Sequence, residues 1–289
     1  MKKYIVGLGC SWTQGEGGWT EETIKKYPEG RVQIFNRGKD DYHLRKEELE
    51  SSWVNVLCRD YFTDYTPMNL GVKGIGNNAA VNQLHFCNRI DWDNSTGIII
   101  LLLSGFERWN IFNPNIYPRG TDQDDFYSNN EIIHNKYRTV WPHEGDKLSR
   151  AYLEEVWSEQ FCAANNLMAL LNVQTFAKSV GYKLIVANAF NHRSEGVHRY
   201  FTDKLGSIVD TFDWSTYMHN ETNYEAFMEL LVKLDGKLND HWLGFYNFYR
   251  NLSWPSKYLT NCDGAHPTTL GYTIIAEEMA KHIKLKGYA

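Results

Sequence analysis

Three residues have the types and settings of a hydrolytic site: Ser11, Asp263 and His266. Ser11 follows the apolar run Tyr4-Ile5-Val6-Gly7-Leu8-Gly9, which predicts a buried strand ending in a tight turn. A hydroxyl is a poor nucleophile at neutral pH and needs a base within hydrogen-bond reach. His266 offers an imidazole. Asp263, three residues earlier, can accept from the far ring nitrogen, fixing the tautomer and stabilising the imidazolium. A helix beginning soon after Ser11 would point free backbone N–H groups at a developing negative charge. Singly, Ser11 reads as a turn residue and His266 as the neighbour of a helix cap. Together, each beside the expected element, they read as a site.

The elements that must position them alternate between apolar runs and helical periods. Strands are expected over about Tyr4 to Leu8, Tyr65 to Leu70, Ile98 to Leu103 and Lys183 to Ala187, with a weaker one near Leu243 to Phe248. Helices are expected over Lys46 to Phe62, Asn77 to Arg89, Leu148 to Ser179 (one or two), a piece near Tyr224 to Leu234, and Thr268 to Lys284. The last would turn Leu270, Ile274, Ile275, Met279 and Ile283 inward. This order predicts an α/β fold, a central parallel sheet with helices on both faces. We expect a single domain over 1–289, with loop insertions near 15–45, 106–147 and 190–240. In open α/β sheets such loops gather beyond the carboxyl ends of the strands, where ligands bind.

Composition narrows the function. The 289 residues are 43% apolar, enough for a sizeable core, and the net charge is −5 without a basic block. Nucleic acid and anionic membranes are therefore not expected partners. Cys10, Cys58, Cys87, Cys162 and Cys262 are odd in number and show no C-x-x-C, which argues against a disulfide framework and a zinc site. The run after Lys2 and Lys3 is too short for a signal peptide, and no stretch of ~18 apolar residues could span a membrane. A cytoplasmic protein is expected, with release by lysis or incorporation in a larger particle left open.

Gly9-Cys10-Ser11-Trp12-Thr13 resembles the first block of the SGNH (GDSL-like) hydrolase superfamily, normally Gly-Asp-Ser. Asn69-Leu70-Gly71-Val72-Lys73-Gly74 resembles the second block, and Asp263-Gly264-Ala265-His266-Pro267 the last. The blocks occur in the family's order. The resemblance implies a three-layer α/β/α sandwich of flavodoxin-like type. It also implies hydrolysis of esters, often O-acetyl groups on sugars, with no cofactor and no metal. By this likeness Ser11 is the nucleophile, His266 the base and Asp263 its orienter, with Gly74 and the Ser11 amide as oxyanion donors.

Two blocks depart from the pattern. Cys10 replaces the usual aspartate. The third block, normally Gly-x-Asn with the asparagine as a further oxyanion donor, reads Ser104-Gly105-Phe106-Glu107-Arg108. An ionised Glu107 cannot donate a hydrogen bond. Either Arg108, Asn77 or Asn78 replaces the donor, or the hole has two donors only. A plain ion pair of Glu107 with Arg108 is the structural alternative. Trp12, Glu107, Arg108 and Trp109 are candidate substrate contacts, and Trp12, Trp109, Trp141 and Trp214 could line a sugar cleft. Packing is the commoner role for each tryptophan. Cys10 as nucleophile, Gly7-x-Gly9 as a dinucleotide loop, and His192, His198 and His219 as metal ligands are weaker readings.

The expected function is cleavage of a small-molecule or glycan ester, most simply an O-acyl (acetyl) ester on a carbohydrate, through an acyl-enzyme. The rivals are a glycan-binding or structural module that keeps the fold, and an acyltransferase using the same triad.

Overall fold

The computed structural model describes residues 1–26, 41–85, 87–112, 137–140, 147–189, 197–218, 227, 230, 231 and 266–289. Four parallel strands, β1 (Lys2–Gly9), β2 (Thr66–Asn69), β3 (Ser95–Leu103) and β6 (Lys183–Asn188), form a sheet in the order β2-β1-β3-β6. A separate antiparallel pair joins β4 (Trp109–Phe112) to β5 (Tyr137–Val140). Both of these short strands fall where the sequence predicted only loop.

The helices in chain order are α1 (Ser11–Gln14), α2 (Glu21–Lys26), α3 (Asp41–Ser51), α4 (Trp53–Asp60), α5 (Ala80–His85), α6 (Lys147–Glu155), α7 (Glu159–Ser179), α8 (Val197–Leu205) and α9 (Thr269–Leu285). The helix expected over Lys46 to Phe62 is two helices. Buried Ser52 has extended backbone (φ −60°, ψ 148°), and its hydroxyl donates to the Leu49 carbonyl at 2.7 Å, competing with the helix ladder. Ser158 divides α6 from α7 and caps α7 by accepting from the Phe161 amide. The helix expected over Asn77 to Arg89 is a 3₁₀ turn at Asn77–Ala79 followed by α5, which ends at His85. The expected insertion after β6 contains α8 and 3₁₀ turns at Gly206–Thr211 and Trp214–Thr216. Most of the helical piece near Tyr224 to Leu234 and all of the strand near Leu243 to Phe248 lie outside the described residues.

Period-two alternation in the buried strands gives each face of the sheet its own core. Ile5, Ile98, Ile100, Leu102 and Ile185 face one way, against Trp53, Val56 and Leu57 of α4 and Ile275, Met279 and Ile283 of α9. Val6, Leu8, Ile99, Leu101 and Val186 face the other, against α5, α7 and α8. Tyr272 is fully buried on α9, whereas Leu270, expected inward, is 44% exposed. Leu270 lies in the first turn of that helix, next to exposed Thr269. Cys10, Cys58, Cys87 and Cys162 are free buried thiols, and Cys262 lies outside the described residues. Among the described residues no helix is long and apolar enough to cross a membrane.

The strand order matters for the site. The chain leaves β1 for one neighbour, β2, and returns to its other side as β3. Loops that depart in opposite directions open a crevice at the carboxyl end of the sheet. Ser11 stands at that end, immediately beyond β1.

Candidate active site

Gly9 makes the turn that presents Ser11. Its φ of +138° suits glycine, and a Cβ there would stand 2.5 Å from the Leu102 carbonyl of β3. Gln83, fully buried on α5, holds this residue by both peptide groups. Its Oε1 accepts from the Gly9 amide at 3.3 Å, and its Nε2 donates to the Gly9 carbonyl at 3.0 Å and the Leu70 carbonyl at 2.7 Å. Thr13 donates from Oγ1 to the Leu8 carbonyl at 3.0 Å. The turn is thereby fixed from both sides before any ligand arrives.

Ser11 opens the one-turn helix α1, with the Cys10 carbonyl accepting from the Thr13 and Gln14 amides. The amides of the first residues of a helix lack intrahelical partners, so the Ser11 N–H has the placement of an oxyanion donor. The loop after β2 packs directly on α1. A Cβ on Gly71 would stand 2.3 Å from the Gln14 amide, Asn69 donates to the Thr13 carbonyl at 2.7 Å, and the Val72 amide donates to the Gly9 carbonyl at 3.0 Å. Gly74, with φ of +74°, turns this loop.

His266 reaches the same point from the opposite end of the sequence. Its Nε2 lies 2.8 Å from Ser11 Oγ across 255 residues of chain. Thr268 caps α9 just beyond, accepting from the Gly271 amide at 3.2 Å. Asp263, the expected orienter, lies outside the described residues, as do Gly264 and Ala265.

A second carboxylate, which the sequence reading did not single out, is also present. Glu16 is almost fully buried, with Oε2 3.4 Å from His266 Nε2 and Oε1 3.1 Å from Lys73 Nζ. Its segment was expected to be a loop insertion, but Gly15 to Trp19 are all buried. Buried Glu48 on α3 makes this feasible by accepting from the Gly17 amide at 3.1 Å and from Trp19 Nε1 at 2.9 Å. The Tyr272 hydroxyl donates to the Glu16 carbonyl at 2.8 Å, and the Thr269 hydroxyl donates to the Trp19 carbonyl at 3.0 Å.

The loop after β3 has a different character. Asn77 Nδ2 donates to the Ser104 carbonyl at 3.1 Å and to Asn166 Oδ1 at 2.7 Å, while its Oδ1 accepts from the Ser104 amide at 2.8 Å. Both its amide hydrogens are engaged, which leaves none for an oxyanion. Asn78 is held on the Asn110 backbone, donating to its carbonyl at 3.0 Å and accepting from its amide at 3.1 Å. Asn166 on α7 donates to the Phe106 carbonyl at 3.0 Å. The Glu107 carboxylate folds back on Gly105, where a Cβ would stand 2.5 Å from Oε1. Arg108 is buried, with its carbonyl against Gly76.

The aromatic candidates pack rather than present faces. Trp12 is fully buried and belongs to the apolar core on the α4 and α9 side of the sheet. Trp109 stacks on Tyr152 at 5.4 Å and meets the edge of Phe161. Trp214 packs against His198, Phe201 and Phe212. Trp141, His192 and His219 lie outside the described residues. Cys10 is fully buried in the core, a poor position for a nucleophile. Among the described residues no group of three or more His, Cys, Asp or Glu could hold a metal ion.

Gln83 and Glu16 carry no motif signal; only the folded chain brings them to the turn. No protein-family model matches the chain, and no curated protein matches it significantly.

Proposed function

We propose that this chain is a serine hydrolase of the SGNH type, with the three-layer sandwich that name implies, and that it cleaves an ester through an acyl-enzyme. The observation that carries the reading is the 2.8 Å approach of His266 Nε2 to Ser11 Oγ at the carboxyl end of β1. In the first step Ser11 gives its proton to His266 Nε2 and its oxygen attacks the acyl carbon. The Ser11 and Gly74 amides receive the oxyanion, and Asp263 supports the imidazolium from Nδ1. His266 then protonates the leaving alcohol, and water repeats the sequence to release the acid. The resemblance in the sequence blocks favours an O-acyl group on a carbohydrate as substrate.

With Asn77 fully engaged and Asn78 held on Asn110, Arg108 is the third-donor candidate, or the hole has two donors. Loss of one donor lowers such rates by ~10²–10³. That deficit favours, as the second reading, a slow or non-catalytic glycan-binding module on the same fold. Acyl transfer is the third, separated from hydrolysis by product analysis with and without an acceptor alcohol.

The test is a fluorophosphonate probe followed by intact mass. Wild type and Cys10→Ala are expected to gain one adduct and Ser11→Ala none. No adduct on wild type overturns the hydrolase reading and makes glycan binding, unaffected by Ser11→Ala, the next measurement.

A further inference from the structure

Outside the expected triad, the described residues hold one buried ionisable group against the reacting atoms: Glu16. It arrives from the turn after α1, Lys73 from the loop after β2, and His266 from the segment before α9. Three separate parts of the chain therefore converge on one carboxylate. Its backbone is fixed on both sides, by its own amide donating to the Ser11 carbonyl at 3.0 Å and by the Tyr272 hydroxyl on its carbonyl. The Glu48 bonds to Gly17 and Trp19 hold the residues that follow.

The geometry is informative because Oε2 approaches Nε2, the atom that also faces Ser11 Oγ, at 3.4 Å. While Nε2 carries a lone pair, the carboxylate gains nothing there. Once Ser11 Oγ–H breaks and its proton moves to Nε2, that nitrogen bears an N–H and the ring a positive charge. The Oγ electron pair meanwhile forms the bond to the acyl carbon, and the carbonyl electron pair moves onto its oxygen. Ser11 Oγ is then no longer an anion, and Glu16 Oε2 is the nearby acceptor for the new N–H. When the intermediate collapses, the same proton passes to the leaving oxygen and the attraction ends. The stabilisation thus appears with the charge and vanishes with it, as catalysis requires.

Lys73 limits the effect. A bare buried carboxylate beside the base would hold a proton on the ring in the resting enzyme and block attack. An ammonium 3.1 Å from Oε1 weakens that pull. We propose that Glu16 is a second carboxylate for the His266 base, holding the ring and offsetting its positive charge from the Ser11 side, with Lys73 setting how strongly it does so. This rests on the hydrolase reading above. Among the described residues the charged groups at the ring are Glu16 and, through it, Lys73.

The experiment is the second-order rate of fluorophosphonate labelling against pH for wild type, Glu16→Gln and Lys73→Met, with each variant's thermal unfolding alongside. In this probe reaction Ser11 oxygen bonds to phosphorus, fluoride leaves, and the proton goes through His266. Glu16→Gln is expected to lower the plateau rate about tenfold and move the rising acid limb to lower pH, because the ring loses a group favouring its charged form. Lys73→Met is expected to move the same limb to higher pH, because Glu16 then acts unopposed. A merely structural role would lower the amount of labelled protein without moving the limb. If wild type labels at Ser11 and both variants keep its rate and limb, the inference is wrong while the hydrolase reading stands. If wild type never labels, the hydrolase reading falls and this one with it. If Glu16→Gln does not fold, Lys73→Met decides: a limb moved to higher pH supports the inference, and an unmoved limb overturns it.

Discussion

Two loops leave neighbouring strands at the same end of the sheet, and they use their buried amides in opposite ways. After β1, Gln83 binds the peptide groups of Gly9 and leaves the residues beyond, Ser11 above all, facing a histidine. After β3, the side-chain amides of Asn77, Asn78 and Asn166 bind the loop backbone at Ser104, Phe106 and Asn110. The first network tensions a turn so that one hydroxyl is presented. The second closes on itself. A polar residue near a site is thus no proof of a part in the chemistry; what matters is whether its donors are still unengaged once the fold is made.

The largest effect on this contrast is expected from Gln83→Leu. It strands the Gly9 amide and the Leu70 carbonyl from their side-chain partner, at a cost of about 1–3 kcal/mol for each buried group. Urea unfolding should show that loss, and fluorophosphonate labelling of the folded fraction should fall as the Ser11 turn relaxes. Unchanged labelling would mean that Gly9 and Thr13 suffice to hold the turn.

Asn77→Ala sharpens the contrast further. It removes the side-chain partner of the Ser104 amide and of Asn166 Oδ1 and should cost about 1–3 kcal/mol in stability. Labelling per folded molecule should change less than about threefold, against the ~10²–10³ expected of an oxyanion donor. A drop of the larger size would break the distinction drawn between the two loops.

The smallest effect concerns Tyr152, which stacks on Trp109 beside the second loop. Burial first, then Cys162 and Glu107, push its phenol well above the ordinary 10.0. The folded state therefore keeps a proton that the unfolded state loses above about pH 10. Its contribution to stability is intact below that pH and declines as pH rises, by up to about 1.4 kcal/mol per pH unit. Tyr152→Phe should flatten the alkaline side of the stability profile, measured by thermal unfolding, and leave Ser11 labelling unchanged.

The legible and illegible residues divide along the same line. β1 and β3 could be read because both are continuous apolar runs, the mark of strands covered on both faces. Ser11 and His266 could be read because each sits at an element boundary with a short motif around it. The break at Ser52 could not: the hydrophobic period runs through it, and the Leu49 carbonyl accepts from the Ser52 hydroxyl and from Asn55 Nδ2 where the helix ends. Glu16 could not be read either. A glutamate in a glycine-rich polar stretch has the pattern of a solvated loop, and its burial depends on Glu48 and Tyr272, 32 and 256 positions away. Asn77 and Asn78 looked like donors because sequence records the presence of an amide group and not its direction. The resemblance of the short blocks says nothing of what braces the turn at Ser11, which Gln83 and Thr13 do.

The separation of 255 positions between Ser11 and His266 has a consequence for how the protein comes into being. Contacts between positions so far apart form more slowly than local ones, because the entropy of closure must be met before the contact forms. During synthesis β1 and Ser11 emerge well before His266 and α9. The approach of His266 to Ser11 therefore forms only once the segment leading into α9, which packs on α4, has arrived. Under the proposed hydrolase reading, labelling of Ser11 would report that α9 has docked.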